Sequence, residues 1–348
     1  MNDYPNKILN TNELDELMST PSKELVELMK QLEGDILFLG VAGKMGPTLA
    51  RMTLRATSES GRKRRIIGVS LFGNPDEENK RMKLEESGIE TIKGDLLERK
   101  FLDELPKVEN VIFMAGMKFG SEGNLPLCWA MNTYVPALVT EYFRTSRIVV
   151  FSTGTVYPLV AVSSGGSLET DASGALGEYA QSCLGRERMF EYGSKRYGNP
   201  IINVRLNYSV EMRYGVIVDI ALKVKNDKPV DLKMGYFNVI WQGDASNLIL
   251  QCFSQCTSPA NVINITGPEI LSVRKVAEEF GKIFNKKPKF VGKEADTALL
   301  SNAQKAFSLF GKPKVTVSKV IEWTADWILN ERELLNKPTK FEIRDGKY

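Results

Sequence analysis

The stretch that decides the fold is ILFLGVAGKMGPTLA, residues 36–50. It opens with four apolar residues, a pattern typical of a strand covered on both faces of a sheet. Three glycines follow at a spacing of three residues, which allows a sharp turn and close approach of a pyrophosphate to a helix N-terminus. The stretch therefore predicts a dinucleotide-binding turn. The predicted cofactor contacts in this turn are Gly40, Gly43, Lys44, Met45 and Gly46.

Strand and helix patterns alternate on the C-terminal side of this turn. Further short apolar runs occur at residues 65–69, 90–92, 111–114, 148–151 and 201–205. Helical stretches separate most of them, and the connections are short. This alternation predicts an α/β fold with a doubly wound parallel sheet, the Rossmann architecture, and a smaller mixed α/β domain for the substrate.

These patterns divide the chain into three parts. Residues 1–34 are expected to form an amphipathic helical extension. Its helix is expected to begin near Thr20-Pro21 and to stop at Gly34. Residues 35–205 are predicted to be the dinucleotide-binding domain. Residues 206–348 are predicted to bind mainly the substrate, with some segments returning to the sheet. Two helices are expected in this last part, at 272–284 and 317–329.

The composition excludes several classes of protein. The chain has 348 residues, 43% hydrophobic and 26% charged, and its 46 basic and 43 acidic residues leave a formal charge of +3. This balance does not indicate a nucleic-acid partner. No apolar run reaches the roughly 20 residues of a membrane span, and no signal peptide is apparent. Four dispersed cysteines favour a reducing compartment, so a cytoplasmic location is expected.

Histidine is absent from the sequence. This excludes Ser-His-Asp and Cys-His catalysis and any metal site built on imidazole. Cys252 and Cys256 are spaced like helix neighbours, but two thiols without further ligands make a poor zinc site. No metal is therefore expected, and the chemistry must depend on other side chains or on a bound cofactor.

Discrimination between NAD and NADP is expected at the end of the second strand. An acidic residue there would bind the ribose 2′-hydroxyl, but the sequence places Ser70 at this point. Lys44 or Arg64 is predicted to add positive charge, which favours NADP slightly over NAD. Asp95 is expected near the adenine, although a loop aspartate is also a common turn former.

The chain resembles the extended short-chain dehydrogenase/reductase superfamily, in particular the NAD-dependent epimerase/dehydratase group. The resemblance runs from about Asp35 to Ile328. Beside the glycine turn it is carried by GDL at 94–96, FMAG at 113–116, Asn132, FSTGTVY at 151–157, Tyr179, RLN at 205–207, NITGP at 264–268 and LFGKP at 309–313. It implies cofactor contacts at Ser70, Asp95, Leu96, Ala115, Gly116 and Asn132. It also implies that a homodimer could form through the helices that carry the tyrosine.

The same resemblance implies catalytic residues. Thr153 matches the residue that orients the substrate oxygen, and Tyr179 matches the general acid/base of a Tyr-x-x-x-Lys motif. Cys183 stands where the lysine should be. A phenol with a pKa near ~10 needs a depression of roughly three units for proton transfer near neutrality, and a thiol supplies no positive charge. Arg186, three residues further on, could substitute in part, and Cys183 could instead act as a nucleophile.

Two departures from the family pattern bear on the substrate. Gly154-Thr155 replaces the Asp-Glu of dehydratases, and Phe237 stands where nucleotide-sugar enzymes carry a diphosphate-binding arginine. A small sugar, polyol or sugar acid is therefore expected. Its predicted contacts are Lys118, Thr155 and Asn207, with Arg213 and Lys233 as further anchors.

The sequence thus predicts an NAD(P)-dependent oxidoreductase or epimerase acting on a small carbohydrate by hydride transfer. A dinucleotide-binding protein without redox turnover, a sensor or structural partner, is the first alternative, because the motif lysine is missing. A nucleotide-sugar epimerase is the second. A weaker third hypothesis notes that GKMG at 43–46 is similar to the turn of dihydrodipicolinate reductases.

Overall fold

Helices and strands alternate through the first 206 residues. The computed structural model describes residues 4–117, 123–337 and 339–347. Its first elements are α1 (Thr11–Met18), α2 (Lys23–Gln31), β1 (Ile36–Leu39), α3 (Gly46–Glu59), β2 (Ile66–Ser70), α4 (Pro75–Glu86), β3 (Glu90–Lys93), α5 (Arg99–Glu104), β4 (Asn110–Phe113), α6 (Leu125–Trp129), α7 (Val135–Tyr142), β5 (Arg147–Thr153), β6 (Val160–Ala161), α8 (Gly177–Tyr197) and β7 (Ile201–Leu206). A π-helical turn, Ala130–Tyr134, joins α6 to α7.

Shorter elements make up the remainder of the chain. They are β8 (Ser209–Val210), α9 (Val216–Lys225), β9 (Val230–Asp231), β10 (Tyr236–Phe237), β11 (Ile240–Trp241), α10 (Gln242–Gln251), β12 (Asn261–Ile265), β13 (Leu271–Ser272), α11 (Val273–Phe284), β14 (Phe290–Val291), β15 (Thr297–Ala298), α12 (Gln304–Phe310) and α13 (Val317–Leu329). The predicted helix after Ser272 is confirmed, because the Ser272 hydroxyl accepts a hydrogen bond from the Lys275 N–H at 3.3 Å. None of the helices in the described part of the chain is long and apolar enough to cross a bilayer.

One parallel sheet forms the centre of the molecule. Within the described residues its seven strands lie in the order β12-β7-β5-β4-β1-β2-β3, and every neighbouring pair is parallel. The predicted doubly wound α/β fold is therefore confirmed. The strand order reverses beside β1, and a sheet of this kind binds its ligand in the crevice outside the carboxyl ends of the strands at that reversal. The predicted cofactor turn follows β1 directly.

Alternation of side chains along β1 explains its unbroken apolar run. Ile36 and Phe38 belong to a core on one face of the sheet, and Leu37 and Leu39 belong to a core on the other. All four residues are fully buried, as the period of two in a strand requires when helices cover both faces. The glycine turn is thus anchored at a fully buried strand in the middle of the sheet.

The N-terminal extension consists of two helices rather than one. The α2 helix is capped by Ser22, whose hydroxyl accepts a hydrogen bond from the Leu25 N–H at 3.2 Å, two residues later than the Thr20 start predicted from the sequence. The Ser22 N–H is held in turn by the Asn247 side chain at 2.6 Å. Buried residues of α1 join the core formed by the C-terminal elements, whereas those of α2 join a core of the sheet.

Residues 339–347, called the C-terminal strap below, cross the C-terminal elements and reach the start of α8. Thr339 donates hydrogen bonds from its N–H and its hydroxyl to the Asp219 carboxylate. At the far end Gly346 packs against Gly177, where an added Cβ would lie 2.1 Å from the Gly346 carbonyl oxygen. Both glycines have positive φ angles, 79° and 77°. The strap therefore closes over the side of the molecule on which α8 begins.

Candidate active site

Backbone contacts explain two of the three glycines in the turn after β1. Gly40 has a φ of 96°, and a Cβ there would lie 2.6 Å from backbone atoms of Ala115. A Cβ on Gly46 would lie 2.0 Å from the Val41 carbonyl oxygen. Gly43 meets no such obstruction, since its nearest neighbour would be a carbonyl oxygen at 3.5 Å. The turn can therefore form only with glycine at its first and last positions, and it begins α3 with N–H groups that have no acceptor inside the helix.

A first cleft of about 210 Å³ lies at the carboxyl ends of β1, β2 and β4. Its lining residues are Gly40, Ala42, Gly43, Ser70, Leu71, Glu77, Gly94, Asp95, Leu96, Met114, Ala115, Gly116 and Met131. Seven residues predicted from the sequence to contact a cofactor are thus brought together. Asp95 also accepts a hydrogen bond from the Leu97 N–H at 2.9 Å, so its carboxylate stabilises the local turn as well.

The cations expected beside Ser70 lie elsewhere. Arg64 precedes β2, at the opposite end from Ser70, and donates to the Met29 and Leu32 carbonyl oxygens at 2.6 Å each. Lys44 points away from the first cleft, with its ammonium 3.3 Å from the Ser209 carbonyl oxygen. The expected positive charge beside Ser70 is therefore not supplied by either residue, because each is held by a partner outside the first cleft.

An acidic residue that the sequence analysis missed lines the first cleft instead. Glu77, in the first turn of α4, lies with Ser70 in the cleft wall and accepts a hydrogen bond from the Gly73 N–H at 2.9 Å. Lys80, one turn later, donates to the Ala42 carbonyl oxygen at 3.2 Å and is paired with Asp76 at 2.8 Å. The acidic first turn of α4 was the sequence signal for this carboxylate.

A second cleft of about 280 Å³ adjoins the first. Its lining residues are Gly43, Lys44, Met45, Met114, Phe151, Ser152, Thr153, Thr155, Tyr179, Leu206, Asn207, Tyr208, Ser209, Val210, Tyr214, Gly215, Val216 and Thr339. Gly43 and Met114 line both clefts, so the two spaces meet at the glycine turn. The predicted Thr153, Tyr179 and Asn207 therefore face one space, although they come from distant parts of the chain.

Two hydroxyl groups and an amide form one wall of the second cleft. Thr153 and Thr155 are 3.2 Å apart at their side-chain oxygens, and the Thr155 N–H donates to the Thr153 oxygen at 3.2 Å. Asn207 is buried and donates from its side-chain nitrogen to Asn238 at 2.8 Å. A Cβ on Gly154 would come within 3.0 Å of the Asn207 side chain. Gly154 thus lets the threonine turn pack directly onto the end of β7.

Cys183 lies behind the cleft rather than in its wall. It is fully buried and packs with Val156, Tyr157 and Leu184. Burial raises the pKa of the Cys183 thiol, and this effect outweighs the lowering caused by Arg186 and by a hydrogen bond with Tyr179. The assignment of Cys183 as a catalytic residue, and the nucleophile hypothesis with it, does not fit this environment, because a closed apolar cluster disfavours the thiolate and admits no substrate.

Asn132 also takes a different place from the one expected. It is completely buried in the π-helical turn, with its oxygen accepting from the Met117 N–H at 2.9 Å and its nitrogen donating to Ser182 at 3.0 Å. Arg186 donates to the same Asn132 oxygen at 2.6 Å and to the Phe151 carbonyl oxygen at 2.6 Å. Asn132 therefore fastens the end of β4 to α8 and has no polar atom left for a cofactor.

A buried ion pair beneath the cleft was missed by the sequence analysis. Glu187 of α8 is fully buried and accepts hydrogen bonds from Arg205 of β7 at 2.7 and 3.0 Å. The Ser152 hydroxyl donates to the same carboxylate. The Arg205 guanidinium stacks 4.6 Å from the centre of the Tyr157 ring. An arginine within the apolar run of β7 was the available signal, but its partner could not be read from the sequence.

The structure does not bring the further positions considered for substrate binding into the second cleft within the described residues. Arg213 pairs with Asp15 of α1 at 2.9 Å and with Glu211 at 3.2 Å. Phe237 is fully buried, with its ring 6.1 Å from that of Phe341 in the C-terminal strap. Lys118 lies outside the described residues, and Lys233 is not among the residues that line the second cleft. No three Cys, Asp or Glu side chains cluster as metal ligands within the described ranges.

Comparison with known proteins identifies the fold but no close relative. No protein-family model matches the sequence, and no curated protein does. The UDP-glucuronic acid 4-epimerase from Bacillus cereus, solved with UDP-glucuronic acid and NAD, is 19% identical, with 85% of this chain and 99% of that chain covered and a TM-score of 0.70. The dTDP-glucose 4,6-dehydratase from Bacillus anthracis, solved with NAD, is 18% identical, with 85% and 96% covered and a TM-score of 0.71. DesIV from Streptomyces venezuelae, a dTDP-glucose 4,6-dehydratase with NAD and TYD bound, is 15% identical, with 85% and 97% covered and a TM-score of 0.71.

Proposed function

We propose that this protein binds a nicotinamide dinucleotide and catalyses hydride transfer at a carbon atom of a carbohydrate-like substrate. The observation that carries the proposal is the meeting of the two clefts at Gly43 and Met114. It places the Tyr179 and Thr153 side chains next to the space that opens from the glycine turn. The structural neighbours solved with NAD share the fold and support the cofactor class.

The residues of the first cleft fit a dinucleotide. Gly40 lets the turn pack closely against the Ala115 backbone, and the start of α3 offers N–H groups to a pyrophosphate. The Glu77 carboxylate suits ribose hydroxyls and would repel a 2′-phosphate. We therefore propose NAD rather than NADP, which reverses the preference drawn from Ser70 alone. When bound, the cofactor supplies a hydride donor and acceptor.

The residues of the second cleft divide the remaining tasks. The Tyr179 hydroxyl gives a proton to, or takes one from, the substrate oxygen as the attached carbon gains or loses hydride. The Thr153 hydroxyl, held beside Thr155, orients that oxygen. Asn207 supports the same wall of the cleft, because its side chain packs against Gly154 between the two threonines. General acid–base catalysis of this kind contributes typically a factor of about 10² to 10⁴ to the rate.

The size of the second cleft favours a small substrate. Its volume of about 280 Å³ is slightly smaller than the range of about 300 to 1,000 Å³ that is typical of ligand sites. Thr339 of the C-terminal strap lines this cleft, and Phe341 of the strap packs onto Phe237 where a diphosphate-binding arginine was sought. A sugar, polyol or sugar acid therefore fits better than a nucleotide sugar.

Two other functions have specific support. A dinucleotide-binding protein without turnover is favoured by Cys183, a fully buried thiol that brings no positive charge to the position of the motif lysine. A nucleotide-sugar epimerase is favoured by the UDP-glucuronic acid that the Bacillus cereus enzyme binds in the same fold. Both make predictions that differ from those of the main proposal.

A cofactor titration with a substrate panel tests these alternatives. Nicotinamide fluorescence is followed as NADH or NADPH is added to the full chain. Carbonyl sugars are then added with each reduced cofactor, and polyols, sugar acids and UDP-glucuronic acid with each oxidised cofactor, NAD+ or NADP+. We expect tighter binding of NADH and oxidation by a small carbohydrate carbonyl. Oxidation or epimerisation of the nucleotide sugar alone would favour the epimerase, binding without reaction would favour the sensor, and absence of binding would refute the proposal.

Matched tyrosine variants test the catalytic assignment. Tyr179→Phe is expected to lower turnover at least about 10²-fold while leaving cofactor affinity within a few-fold, because only the hydroxyl is removed. Tyr192→Phe, on the same helix but 56% exposed, is the control and should not change turnover. Equal activity of the two variants would exclude Tyr179 as the proton-transferring group.

A further inference from the structure

Arg186 is a buried cation without a carboxylate partner. The residue is 7% exposed, and its guanidinium donates to two neutral oxygens, those of Phe151 and Asn132. Within the described part of the chain no carboxylate forms an ion pair with it, and its Nε atom has no hydrogen-bond partner. A buried charge is ordinarily paired, since removal from water is costly. Arg186 therefore keeps its charge unneutralised beneath the active site.

Arg205 shows the contrasting arrangement, because its carboxylate partner is Glu187, the residue that follows Arg186 in α8. Its guanidinium is as buried as that of Arg186 but is bonded through two nitrogens to the Glu187 carboxylate. The two charges of this pair cancel at a distance. The net positive charge that these three buried side chains place beneath α8 is therefore that of Arg186.

The backbone leaves room for the Arg186 guanidinium between the two clefts. Gly116 lines the first cleft, and a Cβ there would lie 2.3 Å from the terminal nitrogen of Arg186. Phe151, whose carbonyl oxygen accepts the other Arg186 hydrogen bond, lines the second cleft. Arg186 thus lies directly behind both walls. It is also seven residues after Tyr179, so both residues lie on the same face of α8.

We propose that Arg186 supplies the positive charge that stabilises the ionised Tyr179 phenol, acting from behind the cleft wall without touching the substrate. This inference rests on the proposed role of Tyr179 and adds a positioning residue to it. Arg186 holds the ends of β4 and β5 in place and at the same time makes the phenol a better proton donor. The lowering of the Cys183 pKa by Arg186 is in keeping with a field that reaches this part of α8.

The expected size of the effect follows from the helix geometry. Seven residues of helix rise about 10 Å. At an effective dielectric constant of about 20, a unit charge at that distance shifts a pKa by about one unit. This shift is a part of the roughly three units that proton transfer near neutrality requires.

Other charged and titratable groups also lie around α8 in the described part of the chain. The charged and titratable groups that face Tyr179 or Arg186 from the elements packed around them are Cys128, Tyr157, Glu178, Cys183, Glu187 and Arg205, with Lys44, Tyr208 and Tyr214 across the second cleft. Burial keeps the Cys183 thiol neutral, because it raises the pKa. This set contains two cations: Arg205, which is paired with Glu187, and Lys44, whose ammonium lies 4.5 Å from the centre of the Tyr214 ring.

The test is a spectrophotometric pH titration of tyrosinate absorbance in the full chain. The titration curve of each protein minus that of the same protein carrying Tyr179→Phe gives the ionisation of the Tyr179 phenol alone. We expect the Tyr179 midpoint to rise by about one unit in Arg186→Gln and to return toward the original value in Arg186→Lys. Arg188→Gln is the matched control, since Arg188 is exposed on the same helix and paired with Glu191 at 2.7 Å. Its midpoint should not move.

A second variant guards against misfolding of Arg186→Gln. Asn132→Asp leaves the arginine in place and sets a carboxylate on its terminal nitrogen, so it should also raise the midpoint. An unchanged midpoint in the folded variants would overturn the inference, and a rise in Lys44→Gln instead would assign the charge to Lys44. The phenol titration does not require a cofactor, so it tests the role of Arg186 independently of the proposed function. Failure of the proposed function would be seen separately, as absence of NADH binding to the unaltered chain.

Discussion

The Glu187–Arg205 pair offers a quantitative test of how the active site is held together. Glu187→Gln removes the negative charge while keeping the shape of the side chain, so the Arg205 guanidinium becomes an unpaired buried charge. Both side chains are at most 6% exposed, and loss of one partner from such a pair costs about 3–5 kcal/mol. With an unfolding entropy of about 2.1 cal/mol/K per residue over 348 residues, 4 kcal/mol lowers Tm by about 5 °C.

Thermal unfolding followed by circular dichroism measures this change. Glu191→Gln, also on α8 but paired at the surface with Arg188, is the control and should lower Tm by less than about 1 °C. The double variant Glu187→Met with Arg205→Met should recover most of the loss, because two apolar side chains replace two buried charges. Equal Tm values for Glu187→Gln and Glu191→Gln would refute the reasoning that the buried pair joins α8 to β7.

Three further predictions address the turn, a buried acid and the buried thiol. Gly40→Ala should weaken NADH binding and destabilise the chain by about 1–3 kcal/mol more than Gly61→Ala, because Gly61 also has a positive φ but no atom within 4 Å of an added Cβ. Burial raises the pKa of Asp244 to about 6, so its contribution to stability is present below about pH 4 and is lost as the pH rises through 6. In the unaltered chain the free energy of unfolding, measured with denaturant, should fall by about 3 kcal/mol between these pH values because of Asp244, and this fall should be absent from Asp244→Asn. The same fall in Asp244→Asn would contradict the assignment. Cys183 should resist iodoacetamide in the folded chain and react after unfolding, as peptide mass spectrometry can show; rapid native alkylation would place the thiol in the cleft.

Local sequence patterns predicted the sheet and the turn well because their causes are local. The apolar runs became strands at nearly the predicted positions, since covering both faces of a sheet demands continuous apolar residues. The β5 strand extends two residues beyond its apolar run, to Thr153, because Ser152 and Thr153 continue to pair with β7. Boundaries set by a neighbouring strand cannot be read from one segment alone.

Charge placement was the weak point of the sequence interpretation. The absence of an acid at Ser70 favoured NADP, yet the folded chain brings Glu77 to the same cleft and holds Arg64 and Lys44 elsewhere. Asn132 was expected to contact the cofactor, but its side-chain oxygen accepts hydrogen bonds from the Met117 N–H and from Arg186. A long side chain reaches several ångströms in any direction, so its partner depends on which elements the fold brings alongside.

The sequence by itself determined the parallel α/β fold and the glycine turn, whereas Thr153 and Tyr179 became candidate site residues only through the resemblance to a known family. Periodicity, glycine sterics and strand–helix alternation act within a few residues, and they are visible in any single chain. Tertiary structure alone decided that two clefts meet at Gly43, that Thr339 of the C-terminal strap lines one of them, and that Arg186 lies behind both with no carboxylate partner among the described residues. These features depend on contacts between residues far apart in the chain, because burial and electrostatic pairing are properties of neighbours in space.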